Sequence, residues 1–339
     1  MTDSSKKSLS IIILFSILAI SVGCSKTEPV HSRQWIYFDT VVGVKVYGNP
    51  AKSELDTIFT IAEDEYARWD SLLDIYSPKS ALWILNSSRQ GTTKIPVKLS
   101  KILRKSFQWR KSTNNMLEPK IGHIVQLWGI GAKGKFVPSR SSTDSALELV
   151  RKSDLNIIDD TTAIVSGDIK IDLGAFAKGF VVDEIYEKIL PICKKNSKIE
   201  GFLIDAGRNI RGWNRKRKFT IGIANPRGDG IIGEFQLPQG YGCASAGDYE
   251  RYFIADGVRY HHIFDPRTGY PARGANACTI IAPDALTADA LSTAGIILGE
   301  NIEKIIDKSE ISGILFFEQN GKLKSKSFGN VKISQYGKR

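Results

Sequence analysis

The sequence IKIDLGAFAKGFVVDEIYEKIL, residues Ile169–Leu190, is the stretch on which the fold of this chain depends. Apolar and polar residues alternate over positions 169–173, which predicts a short strand. Gly174 breaks the alternation, and apolar residues then recur at helical spacing from Val181 to Ile189. The stretch therefore predicts a strand, a turn that contains glycine, and a helix.

The start of the predicted helix is a candidate anion site. Backbone amides in the first turn of a helix lack internal acceptors and carry a partial positive charge, so a phosphate fits there. Lys178 lies in this turn, where the helix dipole disfavours a cation unless a bound anion offsets it. The alternative is that Gly174 and Gly179 only permit a tight turn and that Lys178 points into solvent.

Length and composition are those of a globular protein with excess positive charge. The chain has 339 residues, enough for one large or two medium domains, and a formal net charge of +11. This charge favours acidic partners such as nucleotides, phosphorylated ligands or anionic lipid. The sequence has no long basic arm and no platform of stacking aromatic residues, which argues against a nucleic-acid partner.

The first residues resemble a bacterial lipoprotein signal. A basic start precedes an apolar run, Ile11–Ile20, that is short for a membrane span, and Cys24 follows a small residue at the end of this region. We expect a signal peptide at 1–23, a polar tether at 24–33 with lipid on Cys24, and one folded domain at 34–339 with room for two closely packed lobes. This predicts an exported protein held by lipid on the periplasmic side of a bacterial membrane. The alternatives are an ordinary cleaved signal or an uncleaved anchor, with Cys24 incidental.

The other three cysteines predict no disulfide framework. Cys193, Cys243 and Cys278 are an odd number, and each has apolar or small neighbours. We therefore expect them to be buried as small hydrophobic residues. The chain also lacks a CxxC motif and the ligand spacing of a zinc site.

The remaining pattern predicts an α+β fold with mostly antiparallel strands in the second half. Asp256-Gly257 and Asn320-Gly321 are hairpin signals between short apolar runs. The main predicted helices are Ala51–Leu72, Leu99–Ser112, Ser142–Lys152, Leu286–Gly299 and Asn301–Lys308. The predicted strands include Trp35–Tyr47, Phe202–Ile204, Phe219–Ala224, Glu234–Leu237, Tyr241–Ala244, Tyr252–Ile254, Ala277–Ala282, Gly313–Phe317 and Leu323–Phe328.

A second informative stretch is IIAPDALTADALSTAGIILG, residues Ile280–Gly299. Asp289 and Thr293 are four residues apart on the predicted helix and therefore share one face. A carboxylate with a hydroxyl or carbonyl oxygen is a hard-oxygen donor set that suits Mg²⁺. The alternative is that Asp289 only complements the helix dipole in the first turn, with Thr293 as a small packing residue.

A third stretch, Asp248–Pro271, holds two of the four histidines of the chain, His261 and His262. Adjacent residues of a strand face opposite ways, so only one of the two can point into a site, where neutral histidine is a competent general base. Asp265, in the turn that follows, could orient that histidine or cap the turn. The alternative is a surface histidine beside an ordinary turn.

Together these stretches resemble the ApbE-type flavin transferases, also described as FAD:protein FMN transferases. The resemblance runs from about Phe38 to about Gly299. Its strongest blocks are DLGAFAKGFVVDEI, SAGDYERYF with YHHIFDPRTGYP, and APDALTADALSTA, in this order. It implies an ApbE-type α+β fold with mixed, largely antiparallel sheets flanked by helices.

The resemblance also implies an enzyme that binds FAD and Mg²⁺, moves FMN onto a serine or threonine hydroxyl of a target flavoprotein, and releases AMP. By position, His262 is the implied base, and Asp289 is implied to be essential to catalysis as a metal ligand. The implied metal donors are the carbonyl of Ala175 and the side chains of Asp289, Thr293 and, as a lesser candidate, Ser292. The implied FAD contacts are Phe38, Tyr76, Met116, Leu117, Glu118, Asp172, Lys178 and Ile263.

Two positions depart from the family pattern. The family usually has two glycines before Asn209, but here Arg208 takes the second position, where it either prevents a close backbone approach or adds a cation near the nucleotide. The family's Asp-Pro-Thr segment is Glu118-Pro119-Lys120 here, so a hydroxyl is lost.

Other functions use the same residues. Water in place of the protein hydroxyl would make the chain a Mg²⁺-dependent FAD pyrophosphatase that yields FMN and AMP. A lipid-anchored flavin-binding or carrier protein without chemistry is a second alternative, against which the presence of Asp289, Thr293 and His262 argues. A purely structural lipoprotein would not need these three blocks.

Overall fold

The computed structural model describes residues 29–130 and 136–336. The expected signal peptide and Cys24 lie outside the described residues. The helices are α1 (Lys52–Leu73), α2 (Ala81–Ser87), α3 (Val97–Ser112), α4 (Gly122–Trp128), α5 (Arg140–Lys152), α6 (Ala177–Lys195) and α7 (Ala285–Leu298), followed by a 3₁₀ helix (Gly299–Lys304). None of the helices in the described part of the chain has the length and apolar character to cross a membrane.

Sixteen strands are distributed over four sheets in the described residues. The strands are β1 (Val30–Tyr37), β2 (Thr40–Gly48), β3 (Gly91–Lys94), β4 (Asp154–Ile157), β5 (Thr162–Ser166), β6 (Ile199–Ala206), β7 (Asn209–Asn214), β8 (Phe219–Ala224), β9 (Ile231–Leu237), β10 (Gly242–Gly247), β11 (Tyr252–Ala255), β12 (Val258–His261), β13 (Ala277–Ala282), β14 (Ser312–Gln319), β15 (Lys322–Phe328) and β16 (Ile333–Gln335).

The largest sheet has eight strands in the order β1-β2-β6-β7-β10-β13-β14-β15, and every neighbouring pair is antiparallel. Helices α1, α6 and α7 pack on one face of it, and α6 and α7 also pack on each other. A continuous apolar core fills the space between these helices and the sheet, with Trp69, Phe176, Phe202 and Tyr66 among its largest members. The α+β architecture predicted from the sequence is confirmed.

Two smaller cores complete the structure. On the opposite face of the large sheet, the three-stranded sheet β16-β9-β8 contributes Phe219 and Phe235 to a core with Tyr47 and Phe316. The third core lies between α4, α5 and the β11–β12 ribbon, and Trp128 is at its centre. The remaining sheet has the order β3-β5-β4.

The predicted single strand from Trp35 to Tyr47 is wrong, because the chain reverses in its middle. β1 and β2 form a hairpin around Phe38 and Asp39, which both have φ of 54°. Neither residue belongs to the Asn-Gly and Asp-Gly pairs that normally indicate such a turn. The sequence therefore gave no signal of this reversal, which places Phe38 at the tip of a hairpin.

The predicted strand over 169–173 is also not a strand, although its alternation of apolar and polar positions was correct. Ile169, Ile171 and Leu173 are buried, but the segment pairs with no strand of the described residues. The side chain of Asn86 takes the place of a ladder, because it accepts from the Ile171 amide at 2.6 Å and donates to the Ile171 carbonyl at 2.9 Å. The helix that follows is confirmed as α6.

Most other element predictions are confirmed within two residues at their ends. Both hairpins are present, with Asp256 and Gly257 in one turn and Asn320 and Gly321 in the other, all at positive φ. The helix predicted at Asn301–Lys308 is instead the 3₁₀ segment, which ends at Lys304.

The three cysteines of the described residues are free and buried, as expected. Burial raises the pKa of the Cys193 thiol to about 12 and raises the pKa values of Cys243 and Cys278 further.

Candidate functional site

The loop that precedes α6 folds around the carboxylate of Asp172. The Gly174 amide donates to Asp172 Oδ1 at 2.8 Å, and Lys178 Nζ reaches back to the Gly174 carbonyl at 3.4 Å. Burial raises the pKa of Asp172, and the Gly174 bond and the charges of Arg251 and Lys178 oppose that rise. Lys178 therefore folds back over the loop beside Asp172.

The α6 loop also contacts the segment that begins at Met116. The Asp172 amide donates to the Pro119 carbonyl at 2.8 Å, and the Gly122 amide donates to the Lys170 carbonyl at 3.0 Å. A β-carbon on Gly122 would lie 2.6 Å from that same carbonyl oxygen, so only glycine permits this approach. The structure thus brings the predicted contacts at 116–118 close to Asp172.

Helix α7 is joined to the start of α6 by the carboxylate of Asp289. Asp289 Oδ2 accepts from the Gly179 amide at 2.9 Å. Gly179 is the third residue of α6, so its amide is one of the donors that a helix start leaves without an internal acceptor. Ala175 precedes the N-cap Phe176, so its carbonyl accepts no bond of the helix and its oxygen is available to another partner. Asp289 is 5% exposed, and burial raises its pKa, while Lys178 and the Gly179 bond oppose the rise.

The donor set fits a hard divalent cation such as Mg²⁺. Asp289 offers a second carboxylate oxygen, Thr293 lies one turn further along α7, and Ala175 offers its carbonyl. Ser292 fits less well, because its hydroxyl donates to the carbonyl of Asp289 at 2.9 Å. No group of three or more histidine, cysteine or acidic side chains in the described ranges could hold a metal, so a bound ion would take main-chain, hydroxyl and ligand or water oxygens beside one carboxylate.

The alternative that Asp289 only complements the helix dipole is not supported, because other carboxylates occupy the start of α7. Asp284 is the N-cap and accepts from the Thr287 amide at 2.7 Å. Asp183, on α6, accepts from the Ala285 and Leu286 amides at 2.9 Å each. Asp289 lies beyond the first turn and is not needed there.

The two adjacent histidines have different environments, as the strand geometry predicted. His261 is 1% exposed, and its Nε2 bonds with the Ala272 carbonyl at 2.8 Å. His262 is half-buried and faces the electrostatic field of Lys178 and Arg251. Its amide donates to the Arg251 carbonyl at 3.1 Å, and its Nδ1 lies 3.3 Å from the same oxygen.

The protonation of His262 follows from these contacts. Burial, followed by the charge of Arg251, lowers its pKa to about 3, so the ring is neutral at pH 7. A carbonyl oxygen can only accept, so Nδ1 carries the proton and Nε2 is left with a lone pair. Of the two roles considered for Asp265, the structure shows the turn: its Oδ1 accepts from the Arg267 amide at 2.9 Å, and both of its oxygens pair with the Arg267 guanidinium.

The other predicted FAD contacts have varied surroundings. Leu117 and Ile263 are buried, with exposures of 2% and 7%. Tyr76 is 71% exposed. The Phe38 amide donates to Asp70 at 2.7 Å.

Both carboxylate oxygens of Glu118 have partners within the protein. Glu118 Oε2 pairs with Arg110 Nε at 2.6 Å, and Oε1 accepts from the Lys120 amide at 3.1 Å. Lys120, one of the two departures, is buried, and its Nζ donates to the carbonyls of Val150 and Ser153 at the end of α5. Its side chain therefore caps a helix end.

Sequence reasoning missed Arg251 as a member of this site and Glu250 as its charged neighbour. Burial raises the pKa of Glu250, the charge of Lys178 opposes that rise, and the charge of Asp289 adds to it. The charge of Arg251 acts to lower the pKa values of Asp172 and His262, at which burial has the largest effect. Both residues lie inside the quoted block SAGDYERYF, but charge alone gave no reason to select them.

The fold is an antiparallel sheet covered by three helices. Its candidate site combines the carboxylate of Asp289, bonded to the start of α6, with the neutral ring of His262. This combination is that of an α+β enzyme. The chain belongs to the ApbE family, whose model matches residues 38–315. The resemblance stated from the sequence is confirmed.

Curated relatives cover most of the chain. It is 31% identical over 247 residues to the FAD:protein FMN transferase of Klebsiella pneumoniae, a match that covers 70% of this chain and 73% of that protein. It is 29% identical over 337 residues to the FAD:protein FMN transferase of Haemophilus influenzae, with 92% of each chain covered.

Solved structures agree on the fold. The crystal structure of the ApbE protein of Thermotoga maritima is similar with a TM-score of 0.76 and 28% identity, over 87% of this chain and 96% of that one. The flavinyl transferase ApbE of Pseudomonas stutzeri, in its apo form, has the same fold, with a TM-score of 0.76 and 23% identity over 88% of this chain and 95% of that one. The ApbE-type fold expected from the resemblance is therefore confirmed.

Proposed function

We propose that this protein is an FAD:protein FMN transferase that uses Mg²⁺ to move FMN from FAD onto a serine or threonine hydroxyl of a target flavoprotein. Membership of the ApbE family and the names of its curated relatives support the reaction. The observation that carries it is the arrangement of Asp289, bonded to the start of α6, with neutral His262 and Lys178 nearby.

FAD would bind at the start of α6. Asp172 and Lys178 lie in that loop, and the segment 116–118 adjoins it through the Pro119 carbonyl. Ile263, which follows His262, offers an apolar surface for the nucleotide. We assign Phe38 and Tyr76 to the same pocket from the family pattern.

Asp289, Thr293 and the Ala175 carbonyl would hold the Mg²⁺ ion, with Ser292 as the weaker candidate. When bound, the ion would offset negative charge on the diphosphate of FAD and stabilise AMP as the leaving group. The buried Asp289 carboxylate supports this assignment, because a carboxylate with a raised pKa gains from a cation.

His262 would act as the general base. The acceptor oxygen forms a bond to the phosphorus of the FMN half, and its proton passes to His262 Nε2. The anhydride bond breaks, and AMP leaves with the electron pair of that bond. Anionic FAD beside Arg251 would counter the guanidinium that lowers the pKa of His262, which would make the ring a stronger base.

The experiment separates transfer from hydrolysis and from binding alone. The chain is mixed with FAD, Mg²⁺ and a candidate flavoprotein subunit, and AMP and protein-bound flavin are measured together. We expect AMP and covalent flavin in equal amounts, with an acceptor peptide heavier by the FMN group. AMP with FMN in solution would identify a pyrophosphatase, and FAD binding without AMP would identify a carrier.

We also propose that the chain is exported and held on the periplasmic side of a membrane through lipid on Cys24. The apolar run Ile11–Ile20 and the cysteine after a small residue support this proposal. The test compares the wild type with Cys24→Ala in cell fractions. We expect the wild type in the membrane fraction and the variant without lipid, and a wild type without lipid would contradict the anchor.

A further inference from the structure

The segment between β10 and β11 carries a cation directly opposite His262. Tyr252 pairs with His261 in the β11–β12 ribbon, so Arg251 is the next residue outward and faces His262. The His262 amide donates to the Arg251 carbonyl at 3.1 Å, which confirms that the two backbones adjoin. Directly opposed residues of antiparallel chains project to the same face, so the Arg251 side chain lies on the side of His262.

The charge of Arg251 affects the pKa values of three neighbouring groups. After the dominant effect of burial, Arg251 lowers the pKa of His262, and it also opposes the rise in pKa that burial causes at Asp172 and Glu250. Asp172 belongs to the loop that precedes α6. The guanidinium therefore acts both on the histidine and on the loop that we assign to FAD.

Arg251 has no carboxylate partner among the ion pairs of residues 29–130 and 136–336, and it is exposed. The acid next to it in sequence, Glu250, pairs instead with Arg208 Nη1 at 3.2 Å. Arg208 also donates to the Tyr249 hydroxyl at 3.0 Å, and its guanidinium carbon lies 5.3 Å from the Tyr249 ring centre.

Arg208 occupies a backbone position that is unfavourable for arginine. Its φ is 75°, in the left-handed region that favours glycine. Such a conformation is strained and persists where contacts compensate for it. Here the contacts are those with Tyr249 and Glu250, together with the bond from the Arg208 amide to Asp205 at 3.0 Å.

We propose that Arg251 binds the diphosphate of FAD from the side of His262, and that Arg208 keeps Arg251 available by holding Glu250. The inference rests on the proposed function, because FAD is the ligand that supplies the diphosphate. The planar guanidinium offers two parallel donors to phosphate oxygens, and Lys178 approaches from the α6 side. Without Arg208, the Glu250 carboxylate would be free to pair with its neighbour Arg251.

The experiment measures FAD binding by flavin fluorescence in EDTA, with the full-length chain in mild detergent. We compare the wild type with Arg251→Gln, Arg208→Gln and the double variant Arg208→Gln/Glu250→Gln. Arg251→Gln should weaken FAD binding at least tenfold, since a charged hydrogen bond to phosphate is lost. Arg208→Gln should also weaken it, and the added Glu250→Gln should restore affinity to within about threefold of the wild type, because the competing carboxylate is gone.

The control is Arg140→Gln, an exposed arginine that pairs with Asp144 within α5. It should bind FAD as the wild type does, and unfolding midpoints should show that all variants fold. Unchanged affinity of Arg251→Gln would overturn the role of Arg251. A double variant as weak as Arg208→Gln would overturn the role of Arg208. If the wild type binds no FAD either in EDTA or with Mg²⁺ and transfers no FMN, the proposed function fails and this inference fails with it. If the wild type transfers FMN but the variants bind FAD as it does, only the inference fails.

Discussion

The amide of Gly179 on α6 donates to the carboxylate of Asp289 on α7 at 2.9 Å. This bond crosses the closest approach of the two helices, where a β-carbon on Gly179 would lie 2.4 Å from the Ala285 carbonyl oxygen. The bond aligns the only acid of α7 with the loop that precedes α6. Together with the bonds from Asp183 to the start of α7, this contact fixes the spacing of the two helices and the position of the carboxylate.

Replacement of Gly179 by alanine should force the two helices apart. The added methyl would meet backbone at 2.4 Å and the β-carbon of Asp289 at 2.7 Å, and such overpacking costs about 1–3 kcal/mol. We expect the free energy of unfolding in urea to fall by that amount. FMN transfer per folded molecule should also slow, because the Asp289 carboxylate is displaced. Gly228→Ala, where the β-carbon meets only the end of the Asn225 side chain at 3.1 Å, is the control and should change stability little. Equal stability of the two variants would show that the helices can adjust.

Asp289→Asn should separate the metal role of this residue from its structural role. The amide oxygen of asparagine can still accept from Gly179, so the fold should remain, but the negative charge is lost. A site filled at 100 times its dissociation constant stabilises a protein by about 2.7 kcal/mol. We expect Mg²⁺ to raise the unfolding temperature of the wild type and not that of Asp289→Asn, and FMN transfer by the variant should be lost. A magnesium-dependent shift in the variant would place the ion elsewhere.

Substitution of His262 should mainly affect the rate of FMN transfer, whereas substitution of His261 should mainly affect stability. His262→Ala should slow FMN transfer by roughly a hundredfold or more, since a general base typically contributes 10²–10⁴, while FAD binding remains. His261→Ala should mainly reduce stability, because the Ala272 carbonyl loses its buried donor at a cost of about 1–3 kcal/mol. Transfer rates and urea unfolding of both variants test this pair, and full transfer by His262→Ala would remove it as the base.

Acid should destabilise the protein partly through His262. Its pKa is about 3 in the folded chain and about 6.5 unfolded, so the unfolded state binds more protons between these values. Stability from this residue is therefore present above about pH 6.5 and is lost as the pH falls toward 3. From pH 7 to pH 5, the loss is about 2 kcal/mol. His262→Asn should flatten the dependence of unfolding free energy on pH over this window.

Lys120→Met should cost stability without affecting the chemistry. The ammonium bonds two carbonyls at the end of α5, at 3.0 Å and 2.6 Å, and both would lose their donor. We expect a loss of about 1–3 kcal/mol per carbonyl that stays buried and unpaired. The rate of FMN transfer per folded molecule should stay within about twofold of the wild type. A large rate loss at unchanged stability would instead assign Lys120 to the site.

Much of the site could be predicted from local sequence, because its parts lie in short contiguous blocks. The α6 start, the helix of Asp289 and the choice of one histidine from the pair at 261–262 all follow from periodicity or the family pattern. Local patterns do not encode contacts between distant segments. The bonds from Asn86 to Ile171 and from Asp183 to the start of α7 join residues about one hundred positions apart.

The errors have physical reasons of the same kind. The alternation over 169–173 correctly predicted which side chains are buried. The expected strand pairing is absent, because the side chain of Asn86 hydrogen-bonds to the backbone of Ile171 instead. The hairpin at Phe38 and Asp39 used left-handed residues that lack the usual turn composition. Arg208 could be identified as a departure, but its engagement of Glu250 requires the fold.

Helix α7 has one further consequence for how this enzyme can work. Eleven of its fourteen residues are buried, and Asp289 is among them. The acidic group is thus carried by one of the most enclosed elements of the molecule, whose displacement would disrupt the main core. A turnover step that displaces α7 would therefore disrupt the core, so Asp289 keeps a fixed position while the substrate and the acceptor protein approach it.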